Sequence, residues 1–248
     1  MRPTKEQRAE GRGQPFTAAE RRLIARLRTP NAVQHYLNAL PYNIEPPPGR
    51  ATLRSFRGVV RHGTAHCLEA ALFAATVLEQ HGYPPLVLSF ESIDELDHVI
   101  FVYQRRGARS PEPRAQSRPG NGQWGSVARS RDPGLHGRKP VFRTPRTLAA
   151  SYLDTYVDLT GRIKAFAVVD LRVLGDYDWR LSERNVWKVE QMLLNTRHQR
   201  LVMPDARYRR LLTKYQAFKA QHPDRKPLDY EGRRRWSPIP AEFTRPLV

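Results

Sequence analysis

Cysteine occurs once in the 248 residues, at position 67. A single thiol closes no bridge within the chain, so a disulfide-stapled secreted scaffold is excluded and a reducing compartment becomes the default. Long apolar runs are missing too. None approaches the length of a membrane-spanning helix, and Met1 to Glu6 is followed by no apolar stretch of signal-peptide kind. A cytoplasmic protein without membrane association is the expectation. Negative charge is scarce: 24 Asp and Glu stand against 42 Lys and Arg, a formal net charge of +18. That excess fits binding to nucleic acid, an anionic surface or acidic substrates. It fits a solvated arginine-rich surface better, because the basic residues are spread along the chain. Glycine-rich phosphate loops of both common spacings are absent. So are CxxC and HxxxH pairs, although His62, His66, Cys67 and His98 contain zinc-ligand chemistry. No metal and no cofactor are expected.

What the chain does have is centred on Gly63-Thr64-Ala65-His66-Cys67-Leu68-Glu69, where a turn gives way to a strongly helical run. Thr64 is the expected N-cap, which places Cys67 in the first helical turn. Unpaired N–H groups and the positive dipole end favour a thiolate there. The helix behind it is apolar almost all round, so it is read as buried, and Gly82 with Pro84-Pro85 ends it. Strands are expected at 86–90, 99–103 and 124–130. The second begins just after Asp97-His98, and the third is followed by Asp132. Cysteine at a helix start, histidine at a strand start and a carboxylate by the next strand form the order of nucleophile, base and orienter.

Four pieces within residues 50–160 carry a resemblance. They are Thr64-Ala65-His66-Cys67 with its apolar helix, Gly82-Tyr83-Pro84-Pro85 before a strand, Asp97-His98-Val99-Ile100-Phe101-Val102-Tyr103, and Gln123-Trp124-Gly125. Together they resemble the transglutaminase-like branch of the papain-like cysteine fold. The resemblance implies an α+β core with an antiparallel sheet packed on the cysteine helix, and it implies acyl transfer. Cys67 would be the nucleophile and His98 the base. Asp132 would orient the histidine, with Ser130 or a backbone carbonyl as alternatives. Oxyanion-hole candidates are the Cys67 N–H, His62 and His66, with Arg61 nearby. Trp124 and Asp97 are the substrate-binding candidates, Asp97 as part of an acidic stretch (91–97) that would favour cationic groups. His66 is not read as the base, since on a helix it would project about a hundred degrees from Cys67.

Around this core, residues 1–15 read as a polar arm and 16–180 as the core domain. Residues 181–248 read as a helical extension with a basic, proline-rich tail. A capping box, Thr17 to Glu20, opens the first helix, and Thr29-Pro30 opens a second. Further helices are expected at about 53–60, 147–156, 182–195 and 205–220, with a short extended piece at 140–142 and a strand at 166–171. Residues 105–122, rich in Arg, Pro, Ser and Gly, read as an inserted hairpin extension. The expected activity is cleavage of a peptide or amide substrate by a cysteine protease or amidase. Protein-glutamine transamidation is one alternative. The other is a catalytically silent basic module that binds nucleic acid or an acidic protein. No feature bears on oligomeric state.

Overall fold

The computed structural model describes residues 15–45, 51–92, 98–105, 122–130, 133–155, 162–221 and 223. Local capping chemistry sets most helix starts. Helix α1 (Ala18–Arg26) begins at Thr17, whose hydroxyl accepts from Glu20 N at 3.1 Å while the Glu20 carboxylate accepts from Thr17 N at 2.7 Å. Helix α2 (Pro30–Ala39) has Thr29 as its cap and proline in the first turn, where a missing N–H costs nothing. Helix α3 (Phe56–His62) runs from Ser55 to Gly63, and Gly63 takes the left-handed backbone (φ 65°) that lets the chain turn back at once.

That turn delivers helix α4 (Cys67–Glu79). Its cap is His66, in extended conformation, and not Thr64 as expected. The Glu69 carboxylate reaches back to His66 N at 3.1 Å and holds the helix start there. Thr64 instead accepts from Arg54 Nη1 at 2.8 Å. Cys67 is therefore the first helical residue.

The fold is α+β, built on one antiparallel sheet. Its strands are β1 (Leu86–Ser92), β2 (His98–Gln104), β3 (Trp124–Val127), β4 (Ile163–Asp170) and β5 (Gln199–Arg200), in the order β3-β2-β1-β4-β5. Register splits the side chains cleanly. Val87, Val99, Phe101, Tyr103 and Val169 share a core with α4, whereas Leu88, Phe90, Ile100, Val102 and Phe166 line a second core on the opposite face. Both faces are covered, so the strands are apolar runs and not alternations. The second core is closed by Phe142, Leu148 and Tyr152 and by the C-terminal helix through Leu211.

Several boundaries differ from expectation. Strand β3 stops at Val127, short of Ser130. Helix α5 (Pro145–Ala150) starts at the Thr144-Pro145 cap and loosens into turns before Tyr156. Helix α6 (Trp187–Leu194) starts later than 182, because residues 180–186 form turns held by Ser55 Oγ to Ser182 O (2.6 Å) and Val186 N to Leu53 O (2.8 Å). Val186, Val189 and Leu193 belong to the same core as α4. Helix α7 (Asp205–Gln221) follows the short β5, which periodicity did not anticipate. Among the described residues, no helix is long and apolar enough to cross a membrane.

Candidate active site

Cys67 lies on the floor of an open groove of about 930 Å³. The groove is lined by the segments 42–45 and 51–53, by α6 with Thr196 and His198, and by Ser89, Val99 and Leu68. The first α-type hydrogen bond of α4 runs from Ala70 N to His66 O (2.9 Å). Amides of the first turn, Cys67's included, thus have no acceptor within the helix and point out at its start.

Two imidazoles flank the sulfur. Burial by itself would raise the Cys67 pKa. Hydrogen bonds to the rings of His66 and His98, and the charge on those rings, outweigh burial and hold the thiol well below its ordinary value. His98, at the start of β2, is buried and stacks on Phe90 with ring centroids 6.1 Å apart. Its Nε2 lies 3.3 Å from the Leu135 carbonyl. A carbonyl only accepts, so Nε2 carries the proton, and Nδ1 is the nitrogen left for the sulfur.

His66 is braced more heavily. Its Nε2 is 2.8 Å from the Thr52 carbonyl, 3.7 Å from a Glu69 carboxylate oxygen and 4.0 Å from Glu45. Desolvation pulls its pKa down, but Cys67, Glu69 and the Thr52 carbonyl more than compensate, and it is pushed up to about 9. Glu69, fully buried, accepts from Asn43 Nδ2 (3.0 Å), Thr52 Oγ1 (3.0 Å), Arg54 N (3.0 Å) and His66 N (3.1 Å). One carboxylate thereby ties the loop after α2, the loop before α3 and the start of α4 into a single frame around the sulfur.

Of the residues singled out from sequence, Cys67, His66 and His98 come together. The helical projection invoked against His66 fails, because His66 is the extended cap residue and its ring turns to Cys67. His62 is exposed at the end of α3 and lines a separate, smaller pocket. Trp124 pairs with Gln104 and Phe142 and packs on the second core, away from the groove. Asp97 and Asp132 lie outside the described residues. Sequence reasoning missed Glu69, although it is the only charged residue between Cys67 and Leu78, which was a usable signal. It also missed Thr52, Leu135 and the wall of α6, whose roles rest on long-range contacts. Neither a family model nor a curated protein matches this sequence.

Proposed function

We propose that the chain is a transglutaminase-like thiol acyl-transfer enzyme that hydrolyses an amide bond in a peptide or amide substrate. The observation that carries this reading is the pairing of Cys67 with imidazoles at a helix start, beside an open pocket of about 930 Å³.

The Cys67 thiolate attacks the carbonyl carbon, and the carbonyl electron pair moves onto oxygen. The outward N–H of Cys67 receives that oxyanion. Collapse expels the amine, which takes a proton from an imidazolium beside the sulfur as the C–N bond breaks, and a thioester remains on the sulfur. Water then gives a proton to His98 Nδ1 and attacks the thioester, and the sulfur departs as thiolate. An amine in place of water gives transamidation by the same steps. His98 needs a group that fixes its tautomer, and the Leu135 carbonyl meets that need at Nε2. Asp132 retains its expected role as orienter within this proposal.

Iodoacetamide alkylation followed against pH, together with release of amine from a panel of peptide amides, tests the reading. Wild type is expected to alkylate rapidly well below the ordinary thiol range of about 8.5, and Cys67→Ala to lose all turnover while staying folded. Turnover that survives in Cys67→Ala would refute it.

A further inference from the structure

Two histidines on one sulfur pose a question that a single base does not. We infer that the two rings divide the labour: His66 is the charged partner that keeps Cys67 ionised and protonates the departing amine, and His98 is the base that activates water against the thioester. This inference rests on the thiol acyl-transfer reading above.

His66 Nε2 meets acceptors only, namely the Thr52 carbonyl, the Glu69 carboxylate and, at 4.0 Å, Glu45. Arg54 Nε, 3.8 Å from Glu69, partly offsets that carboxylate without displacing it from the ring. Two carboxylates and a thiolate around one imidazole make an imidazolium, and the upward shift of His66 agrees. His98 has a different setting. It is buried against Phe90 and Tyr152, and among the described residues its Nε2 donates to a main-chain carbonyl. With its proton on Nε2, His98 presents a lone pair at Nδ1.

The proton count closes. The cycle runs from protonated His66, Cys67 thiolate and the lone pair on His98 Nδ1. In acylation His66 passes its proton to the amine nitrogen as the C–N bond breaks. Loss of the thiolate's charge on forming the thioester removes part of what held that proton, so His66 becomes a stronger acid at the moment it is needed. In deacylation His98 takes a proton from water, hydroxide adds to the carbonyl, and the C–S bond breaks. The regenerated sulfur touches both rings, so it relays the proton from His98 to His66. Amide and water have become acid and amine.

Two probes separate the roles. Iodoacetamide reads the thiolate, and p-nitrophenyl acetate acetylates it with a leaving group that needs no proton, so its burst reads acylation and its steady rate reads thioester breakdown. In His66→Gln the alkylation profile is expected to move up towards the ordinary thiol range, by enough to slow alkylation at neutral pH at least tenfold. In His98→Gln the profile should move less, a stoichiometric burst should remain, and breakdown should slow by about 10²–10⁴-fold, the usual weight of a general base. Glu45→Gln, a milder change near the groove surface, should shift the alkylation profile in the same direction as His66→Gln by a smaller amount. That variant keeps the test alive if His66→Gln fails to fold. A profile that moves with His98 and ignores both His66 and Glu45 would overturn the division while leaving the thiol enzyme standing. An ordinary thiol in the wild type would overturn both.

Discussion

Glu69 keeps an ionised group away from water, and only its four hydrogen-bond donors make that tolerable. Removing the carboxylate strands Asn43, Thr52, Arg54 N and His66 N together. Glu69→Ala is expected to lose about 3–5 kcal/mol of stability, read as a lower urea midpoint with little change in slope. It should also raise the thiol's titration range, since His66 loses its nearer carboxylate. At this scale the sequence pointed to Cys67 and His98, which folding does bring together, because a helix start and a strand start each left a mark in the sequence. It concealed His66, because a two-residue difference in where the helix begins changes where a side chain points. Leu135 was hidden for a simpler reason: a main-chain carbonyl has no residue signature.

The elements were legible wherever a period or a cap marked them. Helix α4 is buried on all sides, as its composition required, and the Thr17 capping box and the Thr29-Pro30 cap fall where the first two helices start. What remained hidden was packing between distant elements. Gln34 of α2 spans to β3, accepting from Ala128 N at 2.9 Å and donating to Ala128 O at 2.7 Å. Gly137 sits in this seam, and a methyl group there would overlap the Ser126 carbonyl and the Gln34 amide. Neither is free to yield, so Gly137→Ala should destabilise by about 1–3 kcal/mol through overpacking, measurable as a drop in Tm. The groove wall offers a contrasting case. Trp187 is more than a third exposed on α6, beside Leu194 and across from Ile44. These are three of the six exposed large hydrophobic residues among the described ones, gathered at one groove. Trp187→Ala is expected to raise KM several-fold for substrates with a bulky apolar group beside the scissile bond, with kcat little changed. An equal loss in both would place Trp187 in the chemistry instead.

Across the whole molecule the excess of positive charge is managed in specific places. Arg57 of α3 holds Glu20 of α1 through two hydrogen bonds, 2.8 and 2.9 Å, with both side chains nearly out of reach of water. The Arg57 hydrogen bonds keep the Glu20 pKa below its ordinary value, against the opposing effect of burial. A lowered carboxylate pKa adds stability that is complete above the unfolded value of about 4.3 and vanishes as pH falls through the folded one. Acid unfolding should therefore steepen below about pH 4, and Glu20→Gln should flatten that part of the curve at the cost of a lower plateau at neutral pH. Urea titrations at several pH values would check both.

The exposure of Ile44, Trp187 and Leu194 also governs how such a molecule can drift over generations. Surface positions away from caps and cores accept replacement within about 0.5 kcal/mol. Beneath them, Val186, Val189 and Leu193 anchor the same wall in the core, so the shape of the groove outlasts any change of its rim. Lineages can exchange those three side chains, and with them the preferred cargo, while the sulfur and its two rings stay as they are.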